Sequence, residues 1–521
     1  TAPTGIYTLS LHDALPIFYL YEAEGYWDKD KRQTRQRRRY VGKIDPESGK
    51  VETPRKSLSI RASLDFGVWR LFESIDDSVK LLSSLAGEFG ESATDIFRLA
   101  VYQASEGKPM SLYKDWSEST SGPQGSHHTS QELSRLLEAI GENSRGRERF
   151  LAAWTKRICK KGKAVLFDVT SVSASGDCCD MFEWSYNRDH EKLRQINMGV
   201  ALDVESGLPL LYRVYPGSVA DVSMIRRLVQ DMGAMGLEAL RMVLDRGFYS
   251  LRNLMPMKDA GIHFLIPMPA GGKHVEGLLE DAKKALASPL SAFRLGGTSV
   301  FATSRGLNAD GIRLEAQIFL DETRRASELD NFIRRMTDVE DAAAEEKSKF
   351  DDAETFREKV AQRFPGMERY FSFSKKRGRI VATRDAKAME ERISKMGRMI
   401  LVSDEKGRTP KESLALYRDK DAVEKFFDSL KNTADGNRVR AHSEEAMQGR
   451  LFVMFCAVVL HSALQTRLAK TDLASSISTP AVFSCLKKLR QVEMSNGKAR
   501  LTELTKEQRT LFKKLDVPIP V

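Results

Sequence analysis

Two spacings of apolar side chains divide the chain. Between residues 57 and 159 apolar positions recur at helical intervals, as in the face formed by Val68, Leu71, Phe72 and Ile75. From residue 163 onward, short and nearly continuous apolar runs replace this spacing, which is typical of strands that are buried on both faces. The pattern therefore predicts a helical N-terminal domain followed by an α/β domain.

The α/β part has a definite predicted order of elements. Apolar runs predict strands, and amphipathic stretches between them predict helices. The predicted strands are residues 164–170, 196–203, 208–214, 240–245 and 262–266, and the predicted helices are residues 222–235 and 251–260. After a long interruption, a further helix is predicted at residues 417–431. Three strands, helix, strand, helix, strand and a late helix is the layout of a ribonuclease-H-like mixed sheet.

Three acidic residues occupy distinctive places in this layout. Asp168 interrupts the first apolar strand, Asp245 ends the fourth strand and Glu424 lies in the late helix. A carboxylate within a buried strand is costly unless it is paired, bound to metal or placed at an open end of the strand. Each aspartate alone is more often a hydrogen-bonded residue at a strand end. The three together, in this order, predict a shared site at one edge of the sheet.

The late helix has a second distinguishing feature beside its apolar stripe. Tyr417, Lys420, Glu424 and Lys431 follow one another at intervals that keep them close to one line along a helix. This arrangement places one carboxylate between two lysines and a tyrosine at the rim of the packed face. The alternative interpretation is an amphipathic surface helix with paired charges.

The charge of the chain is compatible with a nucleic-acid partner. Lys and Arg number 82 against 72 Asp and Glu, a net charge of +10, which suits DNA binding without requiring it. A basic segment that includes Arg37, Arg38 and Arg39 lies between Trp27 and Tyr40, and it is either a phosphate-binding element or a solvated hairpin. Weaker candidates for DNA contact are Arg246, Arg438, Arg440 and His442.

Cysteine content and apolar runs limit the cellular context. Five cysteines without the spacing of a disulfide framework indicate a reducing, cytoplasmic environment. The most apolar stretch, residues 451–464, is shorter than a membrane span and predicts a buried helix. Residues 1–17 do not have the pattern of a signal peptide and are predicted to be a leader foreign to the fold.

These residues carry a resemblance to a known family. The chain resembles DDE transposases of bacterial insertion sequences, specifically the insertion-sequence-four family, whose third acid lies in a motif Tyr-x2-Arg-x3-Glu-x6-Lys. Tyr417, Lys420, Glu424 and Lys431 match its positions, with lysine where the family has arginine. Lysine retains the charge and loses the bidentate geometry. The segments 168–171 and 245–250 resemble the first and second acidic motifs of the family.

The resemblance implies a specific activity. It implies metal-dependent cleavage of DNA at the ends of an insertion sequence, followed by strand transfer into target DNA. Asp168, Asp245 and Glu424 would hold two Mg²⁺ ions, for which Mn²⁺ can substitute. Lys420 and Lys431 would neutralise phosphates, and Tyr417 would contact the DNA backbone. Implied partners are double-stranded DNA and a second copy of the chain, with no membrane, in the nucleoid of a bacterial cytoplasm.

The predicted fold class is α/β, with a ribonuclease-H-like mixed sheet, a long and partly β insertion before the last catalytic helix, and a helical N-terminal domain. The predicted domain boundaries are 1–17 for the leader, 18–56 for a basic hairpin-like segment, 57–160 for the helical domain, 163–268 and 406–468 for the two parts of the catalytic domain, 269–405 for the insertion and 469–521 for a polar C-terminal tail.

Three other functions are compatible with the same residues. A nuclease of this fold would cleave DNA without joining it, and an inactive copy of a transposase would bind DNA only. A glycosidase would also use paired carboxylates, but it would leave the flanking lysines without a role.

The assignment of the third acid is tested by Glu424→Ala. We expect this variant to lose DNA cleavage and to retain DNA binding, because the carboxylate serves the reaction rather than recognition. Cleavage of end-labelled duplex and a gel-shift titration measure the two properties. Full cleavage activity in the variant would remove Glu424 from the site.

Overall fold

The structure is a computed structural model. It describes the whole chain except residues 1–4, 10–16, 29–30, 46–47, 53–58, 124–127, 160–162, 176–178, 186–192, 220, 236–239, 270–273, 310, 346–351, 377–378, 421–437 and 520–521. Two predicted site residues, Glu424 and Lys431, therefore lie outside the described residues.

The N-terminal part of the chain is built from strands. An antiparallel sheet contains, in order, Gly5–Leu9 (β1), Ile17–Asp28 (β2), Gln33–Ile44 (β3) and Val51–Glu52 (β4). The two central strands are 12 residues each and pair along their length. A fifth strand, Ile60–Asp65 (β5), does not belong to this sheet.

A helical segment follows, as the periodicity predicts. Its helix α5 starts at a capping box, in which Thr129 accepts from the backbone of Glu132 and the glutamate side chain accepts in return. The helices are Gly67–Val79 (α1), Leu81–Phe89 (α2), Ser92–Glu106 (α3), Tyr113–Ser119 (α4), Ser130–Glu142 (α5) and Ser144–Ile158 (α6).

The predicted mixed sheet is confirmed. Its elements are Ala164–Ser175 (β6), Gln195–Asp203 (β7), Pro209–Pro216 (β8), Asp221–Ala234 (α7), Arg241–Leu244 (β9), Leu251–Asp259 (α8) and His263–Pro267 (β10). The order across the sheet is β8-β7-β6-β9-β10, antiparallel from β8 to β6 and parallel from β6 to β10. Every residue of β7 is buried, which explains why its sequence is a nearly continuous apolar run.

The insertion extends this sheet. Its elements are Val275–Leu286 (α9), Ala292–Leu295 (β11), Thr298–Ala309 (β12), Ile312–Asp321 (β13), Glu322–Glu345 (α10), Ala353–Arg363 (α11), Phe371–Lys376 (β14), Arg379–Arg384 (β15), Ala386–Lys395 (α12) and Arg398–Ser403 (β16). Strand β16 pairs with both β10 and β13, so that β13, β12 and β11 continue the sheet beyond its predicted edge.

Part of the insertion also has a small core of its own. Met336 and Val339 of α10 pack with Phe356 and Val360 of α11 and with Ile380 of β15. All five side chains are almost fully buried. The apolar stripe of α10 is therefore a packing face, and its other faces are available for charged residues.

A long buried helix follows the candidate site. The elements here are Pro410–Arg418 (α13), Arg438–Arg440 (β17) and Glu444–Ala469 (α14). Strand β17 pairs in parallel with the end of β6. Helix α14 has the length and composition of a membrane span, but 83% of its apolar window is buried inside the protein, so packing within the fold accounts for its composition.

The C-terminal residues form regular structure and not the polar tail predicted from composition. They contain Thr479–Leu486 (α15), Arg490–Met494 (β18), Ala499–Leu501 (β19) and Lys506–Lys514 (α16). Strand β18 pairs with β5, which lies more than 400 residues earlier in the chain. The chain accordingly divides into two compact units: Thr1–Phe66 with Lys488–Leu504, and Gly67–Lys487 with Thr505–Val521.

Helix α14 joins the helical segment to the sheet. Phe452 of this helix contacts the ring of Phe150 in α6, and Phe455 contacts the ring of Tyr212 in β8. Two glycines allow α14 to cross α5 at very short distance. A Cβ atom on Gly449 would overlap the backbone carbonyl of Leu137, and one on Gly141 would overlap the carbonyl of Glu445.

This crossing predicts that Gly449→Ala destabilises the protein. The added methyl group would collide with backbone and force the helices apart, so we expect a loss of about 2–3 kcal/mol in the free energy of unfolding. The matched control is Gly277→Ala, since Gly277 lies in α9 with open space around it. Gly277→Ala should increase the free energy of unfolding by at most ~1 kcal/mol, because alanine has the higher helix propensity. Urea midpoints measure both, and equal midpoints would contradict the close crossing.

Candidate functional site

The pairing of β6 with β9 brings two predicted acids together. The strands run in parallel with Leu166 opposite Val243 and Phe167 opposite Leu244. The next position of this register sets Asp168 beside Asp245, which directly follows the end of β9. Neighbouring strands are about 4.8 Å apart. The two aspartates therefore lie side by side, as the sequence predicts.

The site lies in a gap along one edge of β6. Strand β9 ends opposite Phe167, and β17 takes up pairing on the same strand only at Ser173. Asp168 stands at the start of this gap. It is buried, and its Oδ1 accepts a hydrogen bond of 2.8 Å from the backbone N–H of Val169. This bond fixes the orientation of the carboxylate.

Lys420 neutralises the pair of acids. Its Nζ lies 3.1 Å from Oδ1 of Asp245, and its charge also interacts with Asp168. Burial raises the pKa of Asp245, but the charge and hydrogen bond of Lys420 and the backbone N–H of Arg246 outweigh burial, so the net pKa lies below its ordinary value. Burial likewise lowers the pKa of Lys420, and the two aspartates more than restore it. Both partners are therefore charged at neutral pH.

Helix α13 positions Lys420. A capping box between Thr409 and Glu412 fixes its start. Near its end, Arg418 donates a hydrogen bond of 2.9 Å to Oδ2 of Asp321 and another of 3.0 Å to the carbonyl of Leu295. The end of the helix is thus anchored on the insertion strands.

The continuous helix predicted at residues 417–431 is wrong at its start. The helix begins at Pro410 and ends at Arg418, and Lys420 lies in a turn that closes onto the carbonyl of Tyr417. The ion pairs of Arg418 and Lys420 fix this turn. Tyr417 still interacts with Lys420. Glu424 and Lys431 fall in residues 421–437, which lie outside the described residues.

The weaker DNA-binding candidates are dispersed. Arg246 is exposed next to Asp245, in a short 3-10 helix, Arg246–Phe248. The backbone of β17, which contains Arg438 and Arg440, adjoins β6 beyond Asp168. His442 instead lies 2.8 Å from Oε1 of Glu138 in α5, so this contact ties it to the helical segment.

Arg37, Arg38 and Arg39 lie on the exposed strand β3 of the N-terminal unit. Opposite them on β2 are Glu24, Ala23 and Glu22, so the two outer arginines face carboxylates on the same face of the ribbon. The guanidinium of Arg37 also lies over the ring of Tyr26. Among the three, Arg38 faces no acidic residue across the strand pair.

A cavity beside Asp245 contains basic residues that the sequence did not indicate. It has a volume of about 700 Å³, and five cationic side chains line it. They are Arg246, Arg324, Arg392, Lys395 and Arg398. Four of them belong to the insertion and were not indicated by the sequence, whereas Arg246 was already a candidate for DNA contact. Arg324 and Glu328 lie four residues apart in α10, and this helical spacing was the signal that could have indicated one side of the cavity.

The described residues contain two of the three predicted acids. Within them, no group of three or more His, Cys, Asp or Glu side chains is placed to hold a metal ion. Carboxylate oxygens, such as those of Asp168 and Asp245, are nevertheless the ligands that hard divalent ions prefer.

Comparison of the chain with protein-family models identifies a transposase domain. The family model "Transposase DDE domain" matches residues 160–460. The piggyBac transposase synaptic complex with hairpin DNA, solved by cryo-EM, aligns at 12% identity with a TM-score of 0.38, over 87% of this chain and 85% of that one. The Mos1 transposase paired-end complex with left transposon end aligns at 11% identity with a TM-score of 0.15, over 42% and 63%. No curated protein sequence matches the chain.

Strands β9 and β10 are also stabilised at their starts, at the end of β9 opposite to Asp245. Arg241 donates two hydrogen bonds, of 2.5 and 2.8 Å, to the carboxylate of Glu405, which also accepts from Arg408. The adjacent Asp404 accepts from the backbone N–H of Phe264 in β10. The bonds and charge of Arg241, against the opposing effect of burial, lower the pKa of Glu405 below its ordinary value of 4.5.

We expect Glu405→Gln to destabilise the protein in a pH-dependent way. The carboxylate contributes stability above pH 4.5, and this contribution is lost as the pH falls through the lowered pKa of the folded state. The variant should therefore lose about 1–2 kcal/mol at pH 7 and approach the parent protein as the pH falls below the lowered pKa of Glu405 in the folded state. Urea denaturation between pH 3 and pH 8 measures this. A difference that is constant over the whole range would show that the charge of Glu405 is not responsible.

Proposed function

This chain belongs to the family of proteins with a transposase DDE domain, and on that basis we propose that it is a DNA transposase that cleaves the ends of a mobile element and joins them to target DNA. The observation that supports this proposal best is the placement of Asp168 and Asp245 on neighbouring strands, where both interact with the charge of Lys420. The family motif specifies only which residue types occur in the sequence. The pairing of β6 with β9 brings two of the predicted acids close together in space.

The proposed cofactor is a pair of divalent cations, with Mg²⁺ as the candidate and Mn²⁺ as a substitute. The carboxylates of Asp168 and Asp245 fit such ions because they are hard oxygen donors in a partly buried edge of the sheet. When bound, divalent ions at such a site activate an oxygen nucleophile and stabilise the leaving oxygen of a phosphodiester. Glu424 would complete the ligand set. It is four residues from Lys420, a reach of no more than about 14 Å.

The residues of the chain have separable roles in this proposal. Asp168, whose Oδ1 accepts from the backbone N–H of Val169, would be one ligand of the cations. Lys420 keeps the two carboxylates charged before the ions arrive, and its ammonium group can then contact a DNA phosphate. Tyr417 and Arg246 line the adjacent cavity, where they would contact the same strand of DNA.

The ribbon of β2 and β3 would add a second DNA contact. A two-stranded ribbon fits the major groove of DNA. Trp27 and Tyr26 are exposed on β2, and Arg38 is exposed on β3. We further propose, from the family resemblance, that two copies act together on two element ends and that the protein works in the bacterial cytoplasm, at the nucleoid.

The proposal is tested by Asp168→Asn and Asp245→Asn, with Asp259→Asn as the control on an exposed site of α8. The substrate is a supercoiled plasmid that contains the DNA bordering the gene for this chain. We expect both site variants to lose Mn²⁺ binding in calorimetry and to nick DNA roughly 1,000-fold more slowly, since several kcal/mol of transition-state stabilisation disappear. The control should match the parent protein.

The outcomes separate the candidate functions. Nicking followed by joining of 3′ ends to a second plasmid supports a transposase. Nicking without joining indicates a nuclease, and DNA binding without nicking indicates an inactive copy. Unchanged Mn²⁺ affinity and unchanged nicking in both site variants would exclude this pair of acids as the reactive site.

A further inference from the structure

The ribbon of β2 and β3 has two faces of different chemistry. In an antiparallel pair, residues directly opposite each other point to the same face, and successive residues alternate between the faces. The first face, which we call the charged face, contains Glu22, Glu24, Tyr26 and Asp28 on β2 and Arg35, Arg37 and Arg39 on β3. The second, which we call the Arg38 face, contains Ala23, Gly25 and Trp27 on β2 and Thr34, Gln36 and Arg38 on β3.

The charged face is balanced within the ribbon. Arg35 forms an ion pair of 3.5 Å with Asp28. Arg37 and Arg39 each lie opposite a glutamate on β2. Opposite charges directly across a strand pair stabilise it. The three arginines of this face therefore stabilise the ribbon itself.

The Arg38 face has hydrogen-bonding side chains opposite small residues. Arg38 lies opposite Ala23, and Gln36 lies opposite Gly25. Nη2 of Arg38 donates to Oε1 of Gln36 at 3.5 Å, which brings the ends of both side chains together on this face. The space above Gly25 is open, because a Cβ atom there would meet no heavy atom within 4 Å. The guanidinium and amide groups on β3 are therefore accessible across the β2 side of the face.

The ribbon exposes nearly all of its surface. Residues 31–40 are all exposed, and Trp27 is 60% exposed. A two-stranded ribbon without a packed face is at best marginally stable in water, so a partner that covers one face would stabilise it. Residues 17–28 and 31–44 carry seven cationic side chains against three carboxylates. This excess of positive charge favours a polyanion as the partner.

The spacing of side chains along β3 matches the spacing of base pairs. Alternate residues of a strand are about 6.8 Å apart and base pairs are about 3.4 Å apart, so Thr34, Gln36 and Arg38 coincide with every second base pair. A two-stranded ribbon fits into the major groove, which is about 12 Å wide. In this groove arginine pairs with O6 and N7 of guanine, and glutamine pairs with N6 and N7 of adenine.

We propose that the Arg38 face contacts base edges in the major groove of the element ends, where Arg38 selects guanine and Gln36 selects adenine two base pairs away. This inference rests on the proposed function for the identity of the DNA. It assigns sequence selection to a segment outside residues 160–460, which form the family domain. It also separates Arg38 from its two neighbours in the chain, which lie on the charged face.

The first test measures base preference. The full chain, in EDTA, selects ligands from randomised duplexes, and the selected duplex and its single-base variants are then titrated. We expect a guanine and an adenine two base pairs apart. Arg38→Ala should bind the selected duplex about 10- to 100-fold more weakly and accept all four bases at the guanine position.

The matched control for this test is Arg37→Ala, which removes the same charge from the charged face. This control should weaken binding to every duplex by one common factor and leave the base preference unchanged. A parent protein without base preference would overturn the proposal. A common-factor loss in Arg38→Ala, equal for all duplexes, would overturn it as well.

An exchange of specificity separates base contact from folding. Arg38→Gln should change the preferred base from guanine to adenine at its position, and Gln36→Arg should change adenine to guanine at the other. A misfolded ribbon loses a preference but does not acquire a new one. Unchanged preferences in both variants would contradict the assignment of these two side chains.

A base analogue locates the contact in the groove. In 7-deazaguanine the N7 acceptor of the major groove is absent, while pairing with cytosine is intact. At the selected guanine we expect the analogue to weaken binding of the parent protein about tenfold, and to have no effect on Arg38→Ala. An equal loss in both proteins would exclude a contact between Arg38 and N7.

A steric variant tests which face enters the groove. Gly25→Leu adds a side chain to the Arg38 face where the space is open, so the variant should fold and should lose its base preference. The control is Gln33→Leu, which adds the same side chain to the charged face and should keep the preference. Retained preference in Gly25→Leu would show that the Arg38 face does not contact the bases.

Failure of this inference and failure of the proposed function give different results. The Asp168→Asn and Asp245→Asn proteins should keep the full base preference, since selection in EDTA does not depend on the reactive acids. A parent protein that has the preference but does not nick DNA refutes the reactive site and supports the ribbon. A parent protein that nicks DNA without the preference refutes the ribbon and supports the reactive site.

Discussion

Asp168 and Asp245 stand next to each other where β9 ends against β6, and this juxtaposition constrains everything around it. Two neighbouring carboxylates in a partly buried position repel each other, and one would take up a proton if no cation were near. Lys420 supplies that cation in this structure. The position of the turn after α13 therefore follows from the charge of the acids as much as from the helix itself.

The supporting structure keeps this pair in place from several directions. Arg241 and Glu405 hold the start of β9, and Arg418 anchors the end of α13 on Asp321. The buried helix α14 packs the helical segment and the sheet together through a crossing that requires glycine at 449. The insertion strands continue the same sheet through β16, and Arg324 and Glu328 of α10 line the cavity beside Asp245.

Charge is distributed unevenly over the chain. The total of +10 is modest for 521 residues, and it would not by itself identify a DNA-binding protein. Five cationic side chains line the cavity beside Asp245, of which Arg324 and Lys395 are paired with carboxylates, and on the N-terminal ribbon two of three arginines face glutamates. Local density of uncompensated charge, and not the net charge, is what creates a site for a polyanion.

The sequence by itself determined the local elements and the identity of the acids. Strands β6 to β10 and helix α14 were predictable because burial on both sides leaves a continuous apolar run, and Asp168 and Asp245 were conspicuous because a carboxylate in such a run needs a partner. Only the tertiary structure decided that Lys420 turns toward Asp245, that β18 pairs with β5, and that Arg324 and Glu328 of α10 line the cavity beside Asp245. These features arise from contacts between residues far apart in the chain, and the spacing of apolar positions within one segment reports its own burial but not the partner that buries it.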